Sequence, residues 1–495
     1  MPVASSVRSR GAGVVFQSFE YMLGFLPALL LFYTLVRRSR IASTVVLVFG
    51  SAIFYAWRTV WWLAPLIVAA TVDYYVGAKM SVEGTSEQVR RRWLVLSMVV
   101  NLALLSAFKY LGWLTLSTNE MFAWLGIAAS FPVIATTLPP GISFYTFETM
   151  SYTIDVYRRH YKAERSFLVY LNFVLFFPHL VAGPILRPRD LIGQLKVVRP
   201  PATVAEVREA LCYIVWGLFK KITFADNFGD LVEFATGNSP PYQTAGAGLI
   251  YGLAFTLQIY CDFSAYTDIA RGSALLFGIK LPRNFMTPIF SRSPREFWQR
   301  WHITLSTWIR DYLYIPLGGN HGTHARQFAV IMFTMGLAGL WHGAGTMFIL
   351  WGLFHGALII IYRAPPLARF IAASEAGGWR AGAAWTVFFA LSVFGWMMFR
   401  AGSGQPHEMT KMLDSLWMLP QAFEAPAFLR ALRQLALLAT PLFLAEWVAY
   451  RRGVEFPDVL NGFATVPLAA VLASMWFFGI TFAKRSGYDF IYFAF

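Results

Sequence analysis

The chain is expected to fold as an all-α, multi-pass integral membrane protein, and three observations predict it. Of its 495 residues, 57% are hydrophobic and 17% aromatic, with a mean hydropathy of +0.52. Charged residues make up only 14% and cluster between apolar segments. Those segments repeatedly reach the roughly 20 residues that cross a bilayer as a helix.

The net charge of +15 is read as basic cytoplasmic loops beside anionic headgroups, so membrane lipids are expected neighbours. With no zinc-finger spacing and no soluble basic domain, no nucleic acid partner is expected. Cys212 and Cys261 lie beside or within apolar segments and make no disulfide framework.

Residues 1–13 read as a disordered leader, and 14–495 as a single membrane domain. The first apolar run, about Val14 to Val36, is longer than a signal-peptide core and ends in Arg37, Arg38 and Arg40, so it reads as an uncleaved span. Apolar segments follow at roughly 41–57, 60–78, 93–116 and 120–137. Basic clusters at Arg37–Arg40 and Arg90–Arg92 place those loops in the cytoplasm and the N-terminus outside. Further candidate spans lie near 166–186, 207–224, 245–262, 264–280, 327–341, 345–362, 381–399, 430–449 and 464–483. Residues 139–160 are too polar or broken to span, 184–203 read as a loop, and 405–424 as an interfacial segment.

The stretch SRSPREFWQRWHITLSTWIRDYLYIPLGGN, Ser291 to Asn320, opens with a capping-box pattern: Ser293 as N-cap, Pro294 next, Glu296 third. A helix is expected to about Tyr314. Its spacing puts Trp298, Trp301, Leu305, Trp308 and Tyr312 on one stripe, and Arg295, Gln299, His302 and Ser306 on a neighbouring polar one. The plain alternative is an amphipathic interfacial helix with Trp residues at headgroup level. His302, some 40 residues before a second unusual histidine, favours a polar cavity instead.

That second histidine is His342, in GLAGLWHGAG. It lies in a run from Gln327 to Tyr362 without Asp, Glu, Lys or Arg, and ionisable groups at membrane depth mark function by default. The competing reading is a neutral histidine bonded to a carbonyl between packed helices. The run is too long for one span, and Gly336, Gly339, Gly343 and Gly345 suggest a break, allowing close helix approach or room for a ligand around the ring. A neutral imidazole there can take a proton from a hydroxyl, which suits acyl transfer from a thioester. No GxSxG elbow is present. His321 and His324 form an H-x-x-H without Cys or acidic neighbours, so no metal site is expected. His355 falls off the His342 face, and His179 stays ambiguous between packing and function.

Five motifs resemble the membrane-bound O-acyltransferases: LPPGISFYTFETMSYTIDVYR (138–158), FFPHLVAGPILRP (176–188), LQIYCDFSAYTDIARGSALLFG (257–278), FWQRWHITLSTWIRDYLYIPLGGN and GLWHGAG. They look most like the branch with the alginate O-acetylation membrane subunit, as does the ending DFIYFAF. Pro140, Glu148 and Ala265 depart from the usual pattern. The resemblance implies roughly eleven spans around a central funnel with interfacial or re-entrant helices, with core motifs at about 138–362 and C-terminal spans at about 381–495. It maps the catalytic histidine onto His342 and the second functional one onto His302. Asp262, Tyr266, Arg310, Asp311 and Trp341 are candidate substrate-binding residues. Arg292, Arg295, Arg300 and Arg310 are candidates for the phosphates of CoA, with positive-inside topology as the alternative reading of each.

The implied donor is a cytoplasmic acyl thioester, acetyl-CoA above all, used as substrate with no tightly bound cofactor. The implied location is a bacterial inner membrane, with a periplasmic partner that esterifies an exopolysaccharide. Two alternatives remain at this point: a transporter or flippase with the histidines in a proton relay, and a carrier-protein-dependent D-alanyl transferase.

Overall fold

A computed structural model describes residues 16–57, 59–134, 136–236, 246–403, 406–417, 422–423, 426–482 and 490. The leader and all of DFIYFAF except Phe490 fall outside them. The described residues form helices and connecting turns, with no strand among them.

Five helices among the described residues are long and apolar enough to cross a membrane: Val60–Met80, Glu87–Trp124, Gly378–Ala401, Pro426–Arg452 and Thr465–Phe482. The pair Thr346–Ile361 and Pro365–Ser374 would make a sixth, bent by 84°. Glu20–Val36 and Arg40–Ala56 are shorter apolar helices.

Several expected boundaries move. The segments 93–116 and 120–137 become one helix, α4 (Glu87–Leu105) running through a π-helical turn (Ser106–Tyr110) into α5 (Leu111–Trp124). Gly126, at φ +72°, ends it, and the chain to residue 134 is irregular. The segment 166–186 is split into α7 (Phe167–Leu175) and α8 (Phe177–Leu180). The segments 245–262 and 264–280 are one 30-residue helix, α12 (Ala247–Leu276). Its mid-helix charges are neutralised in place. Lys221 meets Asp262 at 2.8 Å, Lys220 meets Asp268 at 2.7 Å, and Arg271 meets Glu455 at 2.7 Å. Pairing removes the penalty that would have broken an apolar helix there. The expected loop 184–203 contains a short helix, Pro188–Leu195, and the expected interfacial segment contains Pro406–Trp417.

Residues 139–160 fold as α6 (Ile142–Tyr157), a helix buried on nearly every face. Its polar groups find partners on its neighbours. Thr149 donates to Asn101 at 2.9 Å, and Thr153 shares a hydrogen bond with Ser97 at 3.0 Å. Ser97 and Asn101 in turn donate to Asp73 at 2.6 and 2.7 Å. The network ties α6 to α4 and α3 (Leu63–Met80), which is how a polar helix tolerates the interior.

The expected break at His342 is present. α15 (His324–His342) ends on that residue, Gly343 is extended, and α16 (Thr346–Ile361) starts after Gly345. Of the two uses open to the glycines, close helix approach is the one realised. A Cβ on Gly339 would overlap the Phe348 carbonyl oxygen, and one on Gly343 would strike the Phe348 ring. Gly352 stands likewise against the Met335 carbonyl, so α15 and α16 touch backbone to backbone. Gly339→Ala is expected to cost about 1–3 kcal/mol by overpacking, seen as lowered thermal stability in detergent. Gly382→Ala, with nothing within 4 Å of the new carbon, should leave stability unchanged or slightly raised.

Candidate active site

The expected continuous helix through Ser291–Asn320 is interrupted. α13 (Pro294–Arg300) begins as expected, with Ser293 accepting from the Glu296 N–H at 3.2 Å. The chain then leaves the helix at Trp301 and His302, resuming as α14 (Ile303–Ile309) and a π-helical turn to Tyr314. His302 sits in the left-handed region at φ +43°, a conformation a histidine holds only when its surroundings impose it. Here the neighbouring strand-like segment does so: the Ile303 N–H donates to the Asn284 carbonyl and the Met286 N–H to that of Arg300, both at 2.9 Å. The polar stripe of Arg295, Gln299, His302 and Ser306 is therefore broken, and His302 turns inward, fully buried.

His302 and His342 both pack against Trp341. Its ring centroid lies 6.2 Å from that of His302 and 4.9 Å from that of His342. His342 also packs edge-on against Trp351 at 5.1 Å and Phe399 at 5.2 Å. His302 is boxed by Phe263 at 4.8 Å and Phe144 at 6.2 Å. His355, on the separate helix α16, joins the cluster through Trp351, 4.7 Å away.

The end of α15 is held from outside. Lys109, in the π-helical turn between α4 and α5, donates to the Trp341 carbonyl at 2.6 Å, the His342 carbonyl at 3.0 Å and Ser143 Oγ at 3.2 Å. Tyr110 donates to the Leu340 carbonyl at 2.9 Å. These are the orphan carbonyls of a helix C-terminus, where a cation is favoured. Neither residue was singled out in the sequence, although Lys109 is the lone charge in SAFKYLGW and the depth rule used for His342 applied equally to it.

The other candidates disperse. Asp262 is engaged by Lys221 at 2.8 Å; its neighbour Phe263 reaches His302. Tyr266 lies between the rings of Phe16 (4.6 Å) and Phe490 (4.7 Å). Arg310 and Asp311 pair at 2.6 Å on an outer rim, where Asp311 also meets Arg187 at 2.8 Å. Arg292 and Arg300 both hold Glu296, and Arg300 also donates to the Met286 carbonyl at 3.1 Å. Arg295 is exposed. His179 is resolved as a structural partner of Glu148, 2.9 Å away, its other nitrogen 3.0 Å from the Phe173 carbonyl.

The rim is linked to the buried pair by stacked rings. Tyr312 lies 5.1 Å from Trp308, Trp308 stacks on Phe147 at 3.8 Å, and Phe147 lies 5.3 Å from Trp341. Among the described residues no group of three or more His, Cys, Asp or Glu is placed to hold a metal.

Residues 47–400 match the family model for MBOAT, the membrane-bound O-acyltransferase family, and the chain belongs to that family. It is a multi-pass membrane O-acyltransferase. It is 39% identical over 389 residues to a probable alginate O-acetylase AlgI of Azotobacter vinelandii, covering 78% of this chain and 75% of that protein. A peptidoglycan O-acetyltransferase of Helicobacter pylori is 31% identical over 71% of each chain. A teichoic acid D-alanyltransferase of Streptococcus thermophilus is 30% identical over 45% of this chain and 56% of its own. Membership of a transferase family leaves the transporter reading without support.

Replacing Lys109 by Met strips the cap while keeping the stem. Two carbonyls and a hydroxyl lose their donor, so about 1–3 kcal/mol of stability should go. Acyl transfer should fall roughly tenfold or more as the His342 backbone shifts, whereas Arg310→Met on the rim should leave thermal stability within about 0.5 kcal/mol. Thermal unfolding in detergent and transfer assays on the same preparations check both.

Proposed function

We propose that the protein moves an acetyl group from a cytoplasmic thioester, with acetyl-CoA as donor, across a bacterial inner membrane to a periplasmic partner. That partner esterifies hydroxyls of an exopolysaccharide such as alginate. The supporting observation is the pair His302 and His342, both buried against Trp341 near the break between α15 and α16. The similarity over three quarters of a probable alginate O-acetylase supports the acetyl group and the polymer.

In this reading His342 is the general base or a transient acyl carrier. His302 orients it, bonds the acceptor or holds the thioester carbonyl. Trp341 packs against both rings. Arg310 and Asp311 belong to the rim, where Arg158 and Arg187 also lie over the Tyr312 ring at 5.5 and 5.3 Å. A donor phosphate group is the chemistry such a rim would meet, and the shorter buried helices are read as completing roughly eleven spans around a funnel.

A second reading is favoured by the D-alanyltransferase relative: the same histidines serving a carrier-protein thioester. Turnover of acetyl-CoA against turnover of a phosphopantetheinyl-carrier thioester, by purified protein with its partner, decides between them.

His342→Ala is expected to lower polymer acetylation by at least about 100-fold while the protein still reaches the membrane. Ester analysis of the secreted polysaccharide from cells with each form is the measurement; wild-type ester content with His342→Ala would refute the assignment. His302→Ala should be less severe if its role is positioning.

A further inference from the structure

The hydrogen bonds around His302 determine which of its nitrogens carries the proton, and that decides what the ring can bind. Asn284 is fully buried on the segment facing His302. Its Oδ1 receives the Thr304 N–H at 3.3 Å and the Thr304 hydroxyl at 2.8 Å, and lies 3.1 Å from His302 Nδ1. A backbone N–H can only donate, so the amide atom that meets it is the oxygen, which fixes how Asn284 is turned. The Thr304 hydroxyl accepts from the Ile185 N–H at 3.0 Å, which leaves its own proton for Asn284. An amide oxygen cannot donate, so His302 Nδ1 carries the hydrogen.

A neutral imidazole has one N–H, and Nε2 is then a bare lone pair. That atom is buried and has no hydrogen-bond partner among the described residues. The rings against His302 do not supply one: Phe144, Phe263 and Phe285 have no N–H or O–H, and the Trp341 indole N–H goes to the Ser143 carbonyl at 3.3 Å. A buried lone pair without a donor marks where a donor-bearing ligand belongs.

We infer that His302 Nε2 receives the hydroxyl hydrogen of the alcohol that accepts the acyl group, and that Asn284 is the positioning residue that locks the required tautomer. This rests on the acyl-transfer reading and selects among the three roles left open for His302. The reacting end of a thioester offers a carbonyl oxygen and a sulfur, neither of which can donate to a bare nitrogen. An alcohol can. His342 takes the acyl group first: its ring nitrogen bonds the acyl carbon, the C–S bond breaks, and the thiolate leaves with the proton of the other His342 nitrogen. The alcohol O–H bond then breaks with its proton moving to His302 Nε2, the oxygen bonds the acyl carbon, the C–N bond to His342 breaks, and that proton passes from Nε2 to the freed imidazole. Of the two roles given to His342, this keeps that of acyl carrier.

The test uses the full-length protein in nanodiscs with ¹⁵N-labelled histidine, the His302 signals assigned by loss in His302→Gln. Wild type should show a protonated Nδ1 and a bare Nε2. Asn284→Asp keeps an acceptor and should keep that pattern; Asn284→Leu should lose it. With acetyl thioester as donor, two acceptor probes are compared, a hydroxyl-bearing oligosaccharide and a serine-containing peptide, and the one that turns over identifies the source of the alcohol. For that probe, kcat/KM should fall at least roughly tenfold in Asn284→Leu and stay within about threefold of wild type in Asn284→Asp. A merely structural asparagine would alter the folded amount and leave the tautomer unchanged. Protonated Nε2 in wild type, or an unchanged kcat/KM in folded Asn284→Leu, would overturn the inference alone. If Asn284→Leu does not fold, the wild-type and Asn284→Asp spectra still decide it. No His342-dependent transfer by wild type would overturn the acyl-transfer reading and this inference with it.

Discussion

The Lys109 ammonium, set against the end of α15, is the contact on which the candidate site depends. It has three protons to donate, and three acceptors take them: the carbonyls of Trp341 and His342 and the hydroxyl of Ser143. One side chain thereby joins the π-helical turn between α4 and α5, the start of α6 and the last residues of α15. With its protons so used, Lys109 is a cap and not a proton donor to substrate. The extended Gly343 and the backbone contact of Gly339 with α16 then set where the His342 ring can go, because Phe348 fills the alternative space.

The same logic of neutralised charge runs through the interior. α12 carries Asp262, Asp268 and Arg271 through buried surroundings because Lys221, Lys220 and Glu455 answer each in turn. α6 carries Thr149 and Thr153, which bond to Asn101 and Ser97 of α4 and through them to Asp73 of α3. Breaking any such pair would leave an uncompensated buried group, which is costlier than never having placed it there. These networks hold the walls on which Phe144, Phe147 and Phe263 are mounted, and those rings in turn frame the two histidines.

Much of this was legible in the sequence where the cause is local. The cap at Ser293, the break after His342 and the helical segments near 41–57, 381–399 and 464–483 follow from capping chemistry, glycine and apolar length. The convergence of His302 and His342 was legible only as a suspicion raised by their polarity. What misled was long-range. The single length of α12 reads as two segments in the sequence, and the partners that let its charges stay buried lie on other elements. Of the two readings of the glycines near His342, close helix approach is the one realised, and sequence could not choose it because the ring of Phe348 comes from the next helix. The interruption at His302 depends on backbone bonds to Asn284 and Met286, which no periodicity reveals. Asn284 itself carried no signal, since its importance lies in which atoms face it.

The central claim is that acyl group and acceptor meet at the buried break beside His342. A structure of the protein with a non-hydrolysable acetyl thioester analogue tests it most directly. The account predicts the acyl carbonyl carbon against the His342 ring, within van der Waals contact of Trp341. Density for the acyl group at a separate location, with His342 and Trp341 unchanged and untouched, would contradict it.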